Sequence, residues 1–191
     1  MYTEQAEIGG TMSAIKWDLK NIDWMTLNYF LTKNETIETE LLIAPAKTLI
    51  KNEPLGVAAI YGAWNYPIGL TLKPLVQCIT AGNCALIKPS EVAPATSAAL
   101  KKLITEHLDN SAYICCEGGI DVAQAVNNLN LDLICFTGST FVGKIVAEAA
   151  AKNCTPCIME LGGKCPTIVD TSCDMAHTVN KICYTKFYNS G

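Results

Sequence analysis

The sequence contains no arginine: all fourteen of its basic residues are lysine. That argues against functions built on a planar, bidentate guanidinium clamp. Charge is sparse as well. Only 17% of the residues are charged and the formal net charge is −4, so nothing favours a nucleic acid or an anionic membrane surface as a partner. No apolar run approaches the roughly 20 residues that a membrane span requires. Residues 1–10 carry neither the basic nor the apolar region of a secretory signal. Ten cysteines in 191 residues fall below the roughly 8–10% that marks a disulfide scaffold. The thiols are therefore expected to be reduced and mostly buried, in a reducing compartment, which gives a cytoplasmic expectation. Repeats and low-complexity stretches are absent too. What is present is apolar: 50% of the residues are hydrophobic, the composition of a core-forming globular chain.

The first segment, Ser13 to Phe30, carries Ile15, Leu19, Ile22 and Met25 at helical spacing. Thr32 to Thr39 reads as irregular, and Leu41 to Ile50 as extended with Pro45 at an edge or bend. From residue 54 strands and helices alternate. Strands are expected at Gly56–Ile60, Cys84–Ile87, Ala112–Cys116, Leu133–Phe136, Cys157–Met159 and Thr167–Val169. Helices are expected at Ile68–Ala81, Pro94–His107, Asp121–Leu129 and Phe141–Lys152, with a last helix capped by Asp174. Leu100, Leu103, Ile104 and His107 share one face of the second, and Val142, Ile145, Val146 and Ala149 one face of the fourth. Met175, Val179, Ile182 and Cys183 share one face of the last. This alternation predicts an α/β fold: a doubly wound, mainly parallel sheet. In such sheets ligands bind at the carboxyl ends of strands where the strand order reverses.

Four motifs sit at expected strand ends. Asn65, within Tyr61-Gly62-Ala63-Trp64-Asn65-Tyr66-Pro67, is either an amide donor to a developing oxyanion or a backbone-satisfying residue of a proline-terminated turn. Lys88 and Glu91, within Leu86-Ile87-Lys88-Pro89-Ser90-Glu91, either hydrogen-bond a ribose or form a solvated pair, with Ser90 helping to start a helix. A carboxylate at a ribose would repel a 2′-phosphate and favour NAD over NADP. Phe136-Thr137-Gly138-Ser139-Thr140-Phe141-Val142-Gly143-Lys144 is either an anion site at a helix start or a tight capped turn. It is not the usual dinucleotide fingerprint, because Thr140 occupies the second glycine position. Nor is it a P-loop, because Ile145 replaces the required hydroxyl residue. Glu160, within Met159-Glu160-Leu161-Gly162-Gly163-Lys164-Cys165-Pro166, ends an apolar strand. Partial burial there would raise its pKa toward the range useful for activating water; the other reading pairs it with Lys164 at a surface turn.

Taken together, Pro54-Leu55-Gly56-Val57, Trp64-Asn65-Tyr66-Pro67, Ile87-Lys88-Pro89-Ser90-Glu91, Phe136-Thr137-Gly138-Ser139 and Glu160-Leu161-Gly162-Gly163-Lys164 resemble the aldehyde dehydrogenase superfamily. The stretch from Gly143 through Ala149-Ala150-Ala151-Lys152 and Thr155-Pro156 to Glu160 looks most like its class 3, fatty-aldehyde branch. The resemblance runs from about Ile15 to Gly191. It implies NAD(P)-dependent oxidation of an aldehyde to an acid through a cysteine thiohemiacetal and thioester. Asn65 matches the oxyanion-hole amide and Glu160 the general base. Gly138, Ser139, Thr140, Phe141, Val142 and Gly143 match the pyrophosphate loop of the cofactor, NAD with NADP as the alternative. Lys88 and Glu91 match the adenosine-ribose residues. Cys165 departs from the family's frequent serine.

The resemblance also implies three divisions: a helix and extended connection over 1–53, a dinucleotide-binding domain over 54–161, and the start of a catalytic domain over 162–191. The family's nucleophile lies in Asn-x-Gly-Gln-x-Cys, of which Asn189-Ser190-Gly191 is the beginning. The full-length form is expected to be a homodimer, and these 191 residues to be inactive alone. Two other readings are a non-catalytic NAD-binding or partner-binding protein and a generic βαβ nucleotide module. No metal site is expected. Cys154-Thr155-Pro156-Cys157 has a helix before it and a strand after it, the reverse of a thioredoxin-like arrangement.

Overall fold

The computed structural model describes residues 7–22, 35–38 and 45–187. In chain order the elements are α1 (Gly10–Lys20), β1 (Glu35–Ile37), β2 (Thr48–Ile50), β3 (Val57–Tyr61), α2 (Gly69–Thr80), β4 (Cys84–Lys88) and α3 (Pro94–His107). There follow β5 (Tyr113–Cys115), α4 (Ile120–Asn127), β6 (Leu133–Gly138), α5 (Thr140–Ala151), β7 (Cys157–Leu161) and α6 (Met175–Phe187). Strands β3 to β7 form one parallel sheet in the order β5-β4-β3-β6-β7. The chain steps outward from β3 through β4 to β5, then returns to the other side of β3 for β6 and β7. The order therefore reverses between β3 and β6.

Side-chain alternation along the strands divides the core into two layers. Ala58 and Ile60 of β3, with Ala85 and Ile87 of β4, pack under Leu75 and Cys78 of α2 and Ile104 of α3. Ala59 and Tyr61, with Ile134 and Phe136 of β6, pack under Val126 of α4 and Val146 and Ala150 of α5. Helices cover both faces, so the sheet is doubly wound as its sequence pattern predicts. Thr155 ties the turn before β7 to the body: its buried hydroxyl donates to Leu131 O at 2.8 Å.

Several expectations are corrected. Thr167–Val169 is not a strand. Among the described residues it has no neighbour to complete a ladder, and Ile168 is 96% exposed. Helix α1 ends at Lys20, closed by Asn21, whose backbone N–H and side-chain amide both bond Trp17 O. Residues 23–30 of the expected helix, with Met25, lie outside the described residues, as do 32–34, 39 and 41–44. The stretch expected to be irregular contains β1, which pairs antiparallel with β2 (Thr36 opposite Leu49). On α5 the apolar positions divide. Gly143, Val146 and Ala150 face the sheet, while Val142 and Ile145 are exposed. Helix α6 has the expected cap, Asp174 accepting the His177 N–H at 3.1 Å, but buries none of its residues. On α3, Leu103 and His107 are exposed.

The cysteines are less buried than expected. All ten are free; only Cys78 and Cys115 are buried, while Cys84, Cys154, Cys165 and Cys183 are exposed. A thiol costs little at a surface, so cysteine count alone does not fix depth. No described helix is long and apolar enough to cross a membrane.

The entry to β3 shows how tightly the sheet is set. Gly56 has φ +127, and its N–H bonds Asn83 Oδ1 at 2.9 Å. A Cβ on Gly56 would lie 2.2 Å from Asp132 Oδ2, the oxygen that accepts the Val57 N–H at 2.8 Å. Gly56→Ala therefore combines backbone strain with a broken strand-to-loop bond. It is expected to cost about 2 kcal/mol or more, read as a lower urea midpoint at unchanged slope.

Candidate functional site

Parallel register brings the chemistry-bearing residues to one rim. Tyr61, the last residue of β3, lies beside Lys88 of β4 and Phe136 of β6. Thr137 of β6 lies beside Glu160 of β7. A cleft of about 700 Å³ opens there. Asn65, Lys88, Glu91, Gly138, Ser139, Phe141, Val142 and Glu160 all line it. Thr140 and Gly143 are not on its wall.

The Asn65 turn follows β3 directly. The Gly62 N–H bonds Lys88 O at 3.0 Å, tying the turn to the end of β4. Gly62 has to be glycine, since a Cβ would meet Thr71 Oγ1 at 2.1 Å. Thr71 is fully buried and its hydroxyl donates to Pro67 O at 2.7 Å. Asn65 itself is exposed on the cleft wall.

Lys88 is only 6% exposed. Its ammonium donates to Glu91 Oε2 at 2.8 Å and Pro89 O at 3.3 Å. The two residues thus form a pair, but one whose cation is buried rather than solvated. Ser90 does not start a helix. Its hydroxyl accepts the Val92 N–H at 3.3 Å within the loop, and α3 begins at Pro94 behind Ala93, which makes no side-chain cap.

The Gly138 turn leads into the start of α5. Ser139 is the N-cap of α5 and its hydroxyl accepts the Val142 N–H at 3.3 Å. The N–H groups of Thr140 and Phe141 stand ahead of the first intrahelical bond, and the first turn has no acidic residue to neutralise them. Phe141 is 75% exposed. Gly143 serves packing: a Cβ there would sit 2.5 Å from Leu161 Cδ2, so its absence lets α5 close on β7.

Glu160, the penultimate residue of β7, stands on the cleft wall. The expected partial burial is not found; its side chain is exposed. The other sequence reading, a Glu160–Lys164 ion pair, is not found among the described residues either. Gly163, just beyond, has open space around the position of a Cβ.

The sequence reading missed Tyr61 as a member of the site. Its hydroxyl donates to Asn127 Oδ1 at 2.7 Å, and its ring packs 5.8 Å from that of Phe136. Burial holds its phenol above the ordinary value. The alternation of β3 could have marked Tyr61 as inward-facing; its long-range partner could not be read from spacing. None of the ten cysteines lines the cleft. Burial pushes the thiol of Cys78 to about 11 and that of Cys115 to about 12, away from thiolate chemistry. Cys154, at φ +54 in the turn after α5, and Cys157, opening β7, are both free thiols. No cluster of three or more metal-ligating side chains occurs among the described residues.

The hydrogen bond from Lys88 holds the Glu91 carboxyl below its ordinary value, with burial opposing it. A depressed folded-state pKa means that the pair stabilises the fold above the unfolded carboxylate pKa of about 4.3. That contribution is lost as pH falls through the folded value. The effect is expected to be small because the Glu91 side chain is half exposed. Glu91→Gln, which cannot titrate, is expected to show a shallower acid-side fall in urea midpoint than the parent chain. Identical acid-side slopes would exclude the coupling.

The aldehyde dehydrogenase family matches this chain over residues 1–191. An aldehyde dehydrogenase of Craterostigma plantagineum is 43% identical over 187 residues, covering 97% of this chain and 38% of that protein. Proteins named as members of aldehyde dehydrogenase family 3, from Arabidopsis thaliana and Rattus norvegicus, are 38–42% identical. Among solved structures, the substrate-bound state of Staphylococcus aureus AldH superposes with a TM-score of 0.86 at 40% identity, over 97% of this chain and 39% of that one. A Mycobacterium tuberculosis aldehyde dehydrogenase complexed with NAD+ gives 0.81 at 27% identity, over 99% of this chain and 38% of that one. The chain thus spans well under half the length of these relatives. With its doubly wound sheet and rim cleft, it belongs to the aldehyde dehydrogenase family.

Proposed function

We infer that the rim cleft binds a nicotinamide dinucleotide and supplies part of an aldehyde-oxidising centre. One observation carries this reading: Asn65, Glu160 and the Gly138 turn, far apart in sequence, line a single cleft with Lys88 and Glu91. The residues fit such a cofactor. The start of α5 offers the Phe141 N–H and its positive helix end to a pyrophosphate. Lys88 and Glu91 offer a donor and an acceptor to a ribose. Phe141, Val142 and Ile145 supply an apolar wall.

The chemistry divides among few groups. A bound nicotinamide supplies the hydride acceptor. The Asn65 amide donates to the oxygen that becomes negative as a thiolate adds to the aldehyde carbon. Glu160 takes a proton from the water that hydrolyses the resulting thioester. Its exposure gives it access to that water. The thiolate belongs to the family's Asn-x-Gly-Gln-x-Cys motif, whose cysteine is not among the 191 residues, and none of the ten cysteines present lines the cleft to replace it. On this reading residues 54–161 form the dinucleotide domain and 162–191 open the catalytic one. Glu91 favours NAD over NADP by repelling a 2′-phosphate.

The test is calorimetry on the 191-residue chain with NAD and NADP, alongside NADH formation with an aliphatic aldehyde. NAD is expected to bind and NADP more weakly. Glu91→Gln should narrow that preference by about tenfold, and no aldehyde-dependent NADH should form. A folded chain without NAD affinity would refute the cofactor assignment, and NADH formation would refute the assignment of the thiolate.

A further inference from the structure

Helix α2 carries the Asn65 turn at its start, yet it has no cap of its own. Its N-cap residue, Ile68, makes no side-chain hydrogen bond, and its first turn has no acidic residue. The acceptor comes from 61 positions upstream: Glu7 Oε2 accepts the Ile68 N–H at 2.8 Å and the Gly69 N–H at 3.3 Å. Glu7 is only 4% exposed, and among the described residues no cation pairs with it. Burying an unpaired carboxylate is costly. Two N–H groups at the positive end of a helix offset that cost and are themselves satisfied. The approach does not depend on Gly69 being glycine, since a Cβ there would lie 3.5 Å from Glu7 Oε1, an ordinary contact distance.

The backbone beyond Asn65 is internally braced. The Leu70 N–H bonds Tyr66 O at 2.9 Å and the Thr71 hydroxyl bonds Pro67 O. Glu7 grips this braced unit from outside, three positions from Asn65, while Lys88 O holds its other end through Gly62. A unit held at both ends places the side chain between them.

We propose that Glu7 is a positioning residue, which fixes the Asn65 amide at the cleft by holding the Ile68 and Gly69 N–H groups. The segment leading into α1 then belongs functionally to the site. This rests on Asn65 being the oxyanion donor.

The experiment uses isotope-labelled 191-residue chain: the parent, Glu7→Ala and Glu7→Gln, which keeps one acceptor oxygen. Glu7→Ala is expected to speed amide exchange at Ile68 and Gly69 about tenfold, and to shift and broaden the Asn65 side-chain NH2 resonance. Glu7→Gln should restore that resonance toward the parent position. Exchange in β4 and β6, and NAD affinity, should stay within about twofold of the parent. An Asn65 resonance unmoved in Glu7→Ala, or displaced equally in both variants, would overturn the proposal. Should Glu7→Ala fail to fold, Glu7→Asp, one methylene shorter, takes its place with the same outcomes. Failure of the parent to bind NAD would sink the cofactor reading, while the Asn65 resonance would still report on Glu7.

Discussion

Parallel pairing of β3 with both β4 and β6 is the constraint from which the site follows. A strand flanked in this way by a unit that runs outward and a unit that returns leaves a crevice where the connections part. Every strand of the sheet ends on the same side, so residues separated by dozens of positions share one rim. Tyr61, Lys88 and Phe136 stand abreast there because their strands are in register, and Glu160 joins through Thr137. The glycines at this rim follow from the same closeness. Gly62 clears Thr71, and Gly143 clears Leu161.

Electrostatics at the rim reflect the missing arginine. The buried cation at the end of β4 is a lysine, a compact charge with three donors. Two of them go to Glu91 and Pro89 O. At the facing turn the positive character comes from the backbone, through the N–H groups at the start of α5 that the Ser139 cap does not satisfy. With the Lys88 ammonium already paired to Glu91, that helix end is the unneutralised positive feature of the cleft wall, without a guanidinium fork.

Much of this fold was legible in the sequence, because each strand–helix unit carries its own periodicity and punctuation. Gly82 just past α2, Pro89 just past β4 and the Gly138-Ser139 turn between β6 and α5 mark boundaries through local backbone rules, and those boundaries hold to within a few residues. Depth and partnership were less legible. Val142 and Ile145 have the spacing of a core stripe, but they meet the cleft because α5 lies over β7 with Gly143 inward. Thr167–Val169 has strand-like residues and no ladder neighbour among those described. The exposure of Glu160 depends on its place on the outermost strand, which spacing cannot reveal. Glu7 was invisible for the same reason. A contact across 61 positions leaves no local trace.

Strand β7 has β6 on one side and, among the described residues, no strand on the other. Ile158 and Glu160 alternate along it on the more exposed face. The backbone N–H and C=O groups on that side can take up one further strand. A charged side chain on an edge strand discourages unspecific pairing there. The exposed Glu160 thus makes this edge, with Ile158 beside it on the same face, less prone to take up a stray strand.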